Sequence, residues 1–273
     1  MSARLASWLV NLGAGVVGLL VLAPLLWMVS VSLMPTGESA AFPPPLLPSA
    51  PTLEHYRVLF VDHGVGRYLF NSAFLAAAAT CLALLFTLPA GYAFAKLRFR
   101  GRGRVFQLLV GALVIPGQIG MLPLFLQLKY LGLVNSYAGA LVPWLAGIFG
   151  IFLVRQYALS VPDELVEAGR VDGASEWQIF RLLVLPTLAP VIVTLAIFVF
   201  LGSWNDFIWP LIILSDQDLY TLPVALAVLS RENVQDNELM MAGSVITTLP
   251  VLILFLALQR YYLSGLMAGS VKG

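Results

Sequence analysis

Five of the fourteen carboxylates in this chain are concentrated in one short stretch, residues 160–186. They are Asp163, Glu164, Glu167, Asp172 and Glu176. The two histidines, His55 and His63, lie far from them and have no metal-ligand spacing. No nucleophile adjoins a plausible base, and no glycine-rich nucleotide motif is present. The sequence therefore predicts no catalytic residues and no metal site, and it argues against a membrane-embedded enzyme.

The first half of this stretch has the composition of a short helix. Ser160 is predicted to be its N-cap, Pro162 fits the first turn, and the acids at 163 and 164 suit the positive end of the helix dipole. Leu165, Ala168 and Val171 have helical spacing and predict one apolar side. Gly173 then permits a sharp turn without strain at a Cβ atom.

A second helix is predicted directly after that turn. Ser175 and Gln178 form a capping-box pattern. The apolar stripe of this helix consists of Trp177, Phe180, Leu183 and Val184. A loop with this much local structure is predicted to be held by another protein.

Composition and hydropathy place these elements in a membrane protein. The chain is 60% hydrophobic and 11% charged, far from the roughly 25% charged residues of a soluble domain. Apolar runs long enough to cross a bilayer occur at residues 9–33, 69–95, 105–128, 137–158, 187–214 and 243–263. We predict an all-α fold, a polytopic bundle of six transmembrane helices forming a single domain over residues 1–273.

The distribution of cations predicts the orientation. Residues 96–104 form a short basic hairpin between the second and third spans, which is favoured on the cytoplasmic side. Six spans then place both termini and the 160–186 stretch in the cytoplasm. With this topology eleven cations lie inside and four outside.

Two segments on the predicted outer side are longer than turns. Residues 34–68 are rich in proline and are predicted to be extended along the surface. Residues 215–241 are acidic and are interpreted either as a solvated loop or as a surface that docks a partner.

One acid lies inside a predicted span. Asp206 follows Trp204 and Asn205 near the outer end of the fifth span. Intramembrane ionisable groups usually face a cavity or a partner. The three residues are therefore candidates for the translocation pathway, with a structural partner in the bundle as the equal alternative for Asp206.

The 160–186 stretch resembles the cytoplasmic loop of inner-membrane subunits of ATP-binding-cassette importers. That loop has the pattern Glu-Ala-Ala, three residues, Gly, nine residues, Ile, one residue, Leu-Pro. The matching positions here are Glu167, Ala168, Gly169, Gly173, Leu183, Leu185 and Pro186. Five of the seven are identical, and the departures are Gly169 for Ala and Leu183 for Ile.

Other segments narrow the resemblance to the smaller permease subunit of the maltose and glycerol-3-phosphate importer group. They are Asn71-Ser72, the run from Trp204 to Phe207, and the C-terminal residues 265–273. The resemblance covers nearly the whole chain. It implies a core permease fold at about residues 67–263, in the cytoplasmic (inner) membrane of a bacterium.

The resemblance also implies a mechanism. Residues 160–186 would be a coupling loop that docks in an ATPase subunit and moves when ATP closes the ATPase dimer, switching the bundle by alternating access. Glu167 would contact a basic residue of the ATPase, Ala168 and Gly169 would permit close packing, and Gly173 would make the turn, with Asp172 beside it. ATP and Mg²⁺ would be bound by the partner, so no cofactor is expected on this chain.

The implied partners are a second homologous permease, a homodimeric ATP-binding-cassette ATPase, an extracytoplasmic solute-binding protein and membrane lipid. No nucleic acid is expected, since the net charge is +1. A sugar or sugar-like solute is implied, with glycerol 3-phosphate or a phosphodiester as the alternative. A self-contained secondary transporter is the other functional alternative, although it would have no need of the 160–186 loop.

Overall fold

The computed structural model describes residues 3–232 and 236–268, and within these residues it contains helices and no strand. The last five residues of the predicted C-terminal motif lie outside the described part of the chain. We number the helices α1 Ala3–Val31, α2 Glu54–Val61, α3 Val65–Lys96, α4 Arg102–Ala112, α5 Gly117–Tyr130, α6 Tyr137–Trp144, α7 Ile148–Leu159, α8 Asp163–Val171, α9 Glu176–Thr187, α10 Ala189–Trp204, α11 Ile208–Ile213, α12 Leu222–Glu232 and α13 Asn237–Ala268.

Three of these helices are long and apolar enough to cross a membrane without interruption: α1, α3 and α13. Three further crossings are possible as bent pairs, with angles of 98° between α4 and α5, 43° between α6 and α7, and 81° between α9 and α10. Among the described residues there are thus three spans, or six if each bent pair crosses once.

Two of the three bends occur at prolines, where the chain loses helical hydrogen-bond donors. Pro116 lies between α4 and α5, so the predicted span at 105–128 consists of two helices. Pro186 and Pro190 flank the break between α9 and α10. Proline removes an amide donor and clashes with the preceding turn, which accounts for sharp changes of direction.

Both predicted outer segments are more ordered than the sequence suggested. Residues 34–68 are not simply extended, because they contain a 3₁₀ turn at Glu38–Ala40, all of α2 and the start of α3. Residues 215–241 contain a 3₁₀ turn at Gln217–Leu219, then α12 and the first turn of α13. Proline content alone did not reveal α2, whose apolar residues are interspersed with charged ones.

The chain divides into two compact units, residues 1–67 with 225–252 and residues 68–224 with 253–273. The prediction of a single domain over the whole chain stays a prediction. In the first unit, the ring of His55 is buried and its Nε2–H donates to the carbonyl of Met34 at 2.8 Å. In the same unit, Glu238 is buried and accepts a hydrogen bond from the backbone N–H of Ser39 at 2.8 Å.

The second unit is fastened at one end by the predicted Asn-Ser motif. Asn71 is buried, and its Nδ2 donates to the carbonyls of Asp218 and Tyr220, both at 2.9 Å. Its Oδ1 accepts from the hydroxyl of Tyr137 at 2.7 Å. Ser72 Oγ accepts from the N–H of Leu222 at 2.8 Å. A buried amide with all these bonds satisfied stabilises one arrangement of the segments around it.

Beneath the 160–186 segment the second unit has a continuous apolar core. Residues from α3, α7, α8, α9 and α10 all contribute to it. Among the fully buried members are Val154, Ile179, Val184 and Val191. This core provides the rigid base on which the candidate site is built.

Candidate functional site

The segment enters its first helix differently from the prediction. Ser160 is the C-cap of α7, and its hydroxyl donates to the carbonyl of Tyr157 at 2.7 Å. The predicted N-cap is therefore wrong, because this hydroxyl is already engaged with the preceding turn. Pro162 holds the N-cap position of α8 without a side-chain bond. Asp163 and Glu164 in the first turn complement the helix dipole, as predicted.

Gly173 ends α8 in the way that the sequence predicted. Its φ is +79°, in the left-handed region that favours glycine. The N–H of Gly173 donates to the carbonyl of Arg170 at 3.1 Å, and the N–H of Ala174 donates to that of Gly169 at 3.0 Å. These two bonds define a Schellman motif, which closes a helix and reverses the chain. Asp172 is the exposed C-cap residue.

The second helix begins with the predicted capping box. Ser175 Oγ accepts from the N–H of Gln178 at 3.3 Å, and Gln178 Oε1 accepts from the N–H of Ser175 at 2.8 Å. Within α9 the turn Ile179–Val184 is a π-helix. Such turns are rare and occur often at functional sites. Here the π-helical turn directly precedes Leu185 and Pro186, the last two residues of the motif.

Lys96 fastens the start of α8 to the end of α3. Its side chain is only 4% exposed, and its ammonium donates to Asp163 Oδ1 at 2.5 Å and to the carbonyl of Val161 at 2.6 Å. The hydrogen bond from Lys96 lowers the pKa of the Asp163 carboxyl below its usual value. A buried ammonium with two acceptors fixes α8 against the bundle.

A second network fastens the end of α8 to α9 and α3. Arg170 Nε donates to Glu176 Oε1 at 2.7 Å, and this bond raises the pKa of Arg170. The hydroxyl of Tyr92 in α3 donates to Glu176 Oε2 at 3.0 Å. Both oxygens of one carboxylate therefore connect three helices across the Gly173 turn. Neither Tyr92 nor Lys96 was predicted, because partners 65 or more residues apart leave no local signal.

The predicted apolar side of α8 does not face the protein core. Leu165, Ala168 and Val171 are exposed, with Val171 at 87%. The residues that face the core are Val166 and Gly169. Leu165, Ala168 and Val171 do share one side of the helix, as their spacing predicted, but that side points away from the protein. We call Leu165, Ala168 and Val171 the outer face of α8.

Gly169 packs tightly inside its own chain. A Cβ atom at this position would lie 2.9 Å from Leu183 Cδ1 and 3.0 Å from Ile179 Cγ1. Its close packing is therefore against α9, whereas the sequence placed it at a partner. Leu183 and Leu185 are half-buried, and Pro186 is exposed. Glu167 is exposed, beside the outer face of α8.

The three candidate pathway residues lie beyond α10 or at its end. Trp204 is buried and stacks on Phe200 with centroids 5.9 Å apart. Asn205 Nδ2 donates to the carbonyl of Leu201 at 2.8 Å, and Asp206 Oδ1 accepts from the N–H of Trp209 at 3.4 Å. Both polar side chains therefore cap helix ends. Asp206 lies between two helices, whereas the sequence placed it inside a continuous span.

One cavity in the second unit was not anticipated. It has a volume of about 310 Å³ and is mostly apolar, and its lining includes Thr87, Trp144, Phe149 and Phe198. Its residues come from four helices, α3, α6, α7 and α10. A metal site is not indicated, since the described residues contain no group of three His, Cys, Asp or Glu side chains placed to bind one.

Sequence comparison gives consistent matches along nearly the whole chain. Residues 1–266 match the model of the family described as binding-protein-dependent transport system inner membrane component. The arabinooligosaccharides transport system permease protein AraQ of Halalkalibacterium halodurans is 38% identical over 270 residues, covering 98% of this chain and 97% of that protein. The lactose transport system permease protein LacG of Rhizobium radiobacter is 35% identical, covering 78% of each chain. The diacetylchitobiose uptake system permease protein NgcG of Streptomyces coelicolor is 32% identical, covering 93% of this chain and 83% of that protein.

Structural comparison supports the fold. A chain of a bacterial transporter that imports the acidic polysaccharide alginate superposes with a TM-score of 0.83 at 24% identity, covering 96% of this chain and 99% of that chain. A chain of the MetNI methionine transporter superposes with a TM-score of 0.55 at 18% identity, covering 73% of this chain and 94% of that chain. Both are ATP-binding-cassette transporters by their descriptions.

Proposed function

The chain belongs to the binding-protein-dependent transport system inner membrane component family, and we propose that it is a channel-forming subunit of an ATP-driven importer for a sugar or oligosaccharide. The family consists of multi-pass membrane transport components and not of enzymes. Relatives named for arabinooligosaccharides, lactose and diacetylchitobiose support a carbohydrate solute.

We further propose that α8 and the Gly173 turn dock in a separate ATPase subunit. The observation that carries this proposal is the exposure of an apolar face on a helix that is otherwise firmly held. Val171 is 87% exposed and Leu165 is 37% exposed, among five carboxylates. Apolar groups in such a polar loop lose contact with water only if a protein covers them. Glu167, beside this face, would meet a basic residue of the ATPase.

The same arrangement explains how movement would be transmitted. Lys96 and Tyr92 both lie on α3; Lys96 bonds Asp163 at the start of α8, and Tyr92 bonds Glu176 at the start of α9. A push on α8 would reach α3 through these bonds and α10 through α9. Because the core below is closely packed, it would transmit displacement instead of absorbing it. The bundle would then switch between inward- and outward-facing states when ATP closes the ATPase dimer.

The proposed assembly contains a second homologous permease, a homodimeric ATPase that binds ATP and Mg²⁺, and an extracytoplasmic solute-binding protein. The basic hairpin of residues 96–104 supports a cytoplasmic position for the 160–186 segment and for both termini. Residues 215–241 remain our candidate contact for the binding protein. Of its acids, Glu238 is buried and is unavailable for that contact, contrary to the expected acidic surface.

Purification from native membranes tests the assembly directly. The chain, extracted in mild detergent and captured by an affinity tag, should carry with it a second permease and a nucleotide-binding ATPase, identified by mass spectrometry. Screening the co-purified binding protein against sugars would then name the solute. A folded, stable chain recovered without any ATPase would contradict the proposal and favour the alternative function, a self-contained secondary transporter.

Substitution of Glu167 tests its part in the coupling. Glu167→Lys should leave the chain folded in the membrane but abolish ATP-dependent solute uptake, because a cation would then face a basic residue. Asp62→Lys makes the same charge change at an exposed position outside the 160–186 segment, and as the matched control it should retain wild-type uptake. Wild-type uptake by Glu167→Lys as well would remove Glu167 from the proposed interface.

A further inference from the structure

A polar cavity lies between the basic hairpin and α8. Its volume is about 260 Å³, and it belongs to the second compact unit. The charged residues that line it are Lys96, Arg98, Arg102, Arg170, Asp163 and Glu167. Four cations face two carboxylates, so the lining carries an excess of positive charge suited to an anion.

Existing hydrogen bonds leave donors available for that anion. Arg170 uses Nε for Glu176, and Arg102 uses one Nη for the carbonyl of Leu97. A guanidinium has five N–H donors, so each retains several. Arg98, in the hairpin, is exposed and lines the cavity. Paired guanidinium groups bind phosphate well because their planar donors match its oxygens.

The position of the cavity favours a lipid over a soluble anion. Only three residues beyond Arg102, α4 begins to expose apolar side chains, with Val105 at 45% and Leu108 at 75%. At 1.5 Å per residue, this apolar surface begins about 5 Å along the helix axis from Arg102. Phe99 in the hairpin is also 43% exposed. The charged headgroup of a lipid would thus contact the cavity, and its acyl chain would contact the apolar surface of α4 and Phe99.

We infer that this cavity binds the phosphate group of an anionic phospholipid of the cytoplasmic leaflet. The inference rests on the proposed function for the cytoplasmic position of the hairpin. Basic pockets between membrane helices on this side are suited to anionic headgroups. The pocket face of α8 contains Asp163, Glu167 and Arg170, whereas the outer face contains Leu165, Ala168 and Val171. Lipid and ATPase would therefore contact neighbouring sides of the same helix, and these two sides meet at Glu167.

Native mass spectrometry of the purified chain, with any subunits that co-purify, provides the test. Phosphatidylglycerol should be retained in preference to phosphatidylcholine. Arg98→Gln should weaken this retention about fivefold, the effect of one cation near the surface. Arg100→Gln removes the same charge from the same hairpin but outside the cavity lining and should retain wild-type binding. The double variants R98Q/R102Q and R100Q/R104Q should differ about thirtyfold.

Three results would overturn the inference. Equal losses in Arg98→Gln and Arg100→Gln would reduce the effect to general surface attraction. Displacement of phosphatidylglycerol by equal concentrations of glycerol 3-phosphate would assign the cavity to a soluble phosphate ester. Protection of Arg98 from a guanidine-modifying reagent by a co-purified ATPase in lipid-free detergent would assign it to a protein. If the coupling proposal fails, the ATPase will be absent from the purified sample. The lipid measurement can still be interpreted in that case.

Discussion

At the scale of single residues, the two departures from the importer pattern are explained by one contact. Gly169 stands where the pattern has alanine, and Leu183 stands where it has isoleucine. In the structure Leu183 Cδ1 occupies the space that a Cβ at 169 would need. The two residues therefore compensate for each other. A comparison of sequence positions alone treats them as independent changes.

This compensation predicts a measurable coupling. Gly169→Ala should lower the free energy of unfolding by about 1–2 kcal/mol, because overpacking against Leu183 and Ile179 exceeds the gain in helix propensity. Adding Leu183→Ile should recover about 1 kcal/mol of that loss. Thermal unfolding in detergent measures both. Ala168→Gly, on the exposed outer face, is the control, and its cost should be the same with or without Leu183→Ile.

Gly173 yields a second prediction at this scale. Its φ of +79° is costly for any side chain except asparagine, which tolerates the left-handed region. Gly173→Ala should destabilise the protein by about 1–2 kcal/mol, and Gly173→Asn should cost clearly less. Melting temperatures of the two variants give the order. If alanine were tolerated better than asparagine, the turn would not require a left-handed residue.

At the scale of elements, the capping box and the glycine turn are predicted by local signals, whereas the N-cap at Ser160 and the long-range contacts are not. The capping box at Ser175 and the turn at Gly173 depend on neighbours in sequence, so both could be predicted. Which side of α8 faces the core depends on its packing against α9, and no local pattern reports that packing. The size of the angle at Pro116 also has no signal in the sequence, since hydropathy measures apolar length and not direction.

The attachment of α8 to α3 predicts a pH dependence. In the folded protein, Lys96 lowers the pKa of Asp163 below the ordinary aspartate value of 3.8. The unfolded chain therefore binds this proton more readily, and the stabilisation is complete above about pH 4 and lost as the pH falls through the lower folded value. Asp163→Asn should be less stable than wild type at neutral pH, with the difference vanishing in acid. A difference that persists unchanged into acid would show that the ion pair does not set this dependence.

At the scale of the whole molecule, exposed apolar surface has two different explanations. On α1 nearly every side chain from Val10 to Val29 is exposed, and a membrane span of this kind is covered by lipid or by other membrane helices. The outer face of α8 cannot be explained in that way, because the carboxylates around it would be costly to bury in lipid. Hydropathy detects the first kind of surface. The second appears only when the faces of α8 are resolved.

The outer face of α8 therefore gives a prediction about assembly. Val171→Glu should weaken association with the ATPase about tenfold or more, since hot-spot residues in interfaces contribute over about 1 kcal/mol. It should leave the melting temperature of the chain unchanged, because Val171 is 87% exposed. Val171→Leu preserves the apolar contact and should retain the ATPase. If Val171→Glu recovered the ATPase at the wild-type level, the docking surface would not include the outer face of α8. Few other residues of α8 could then form it, because the opposite side of this helix is buried.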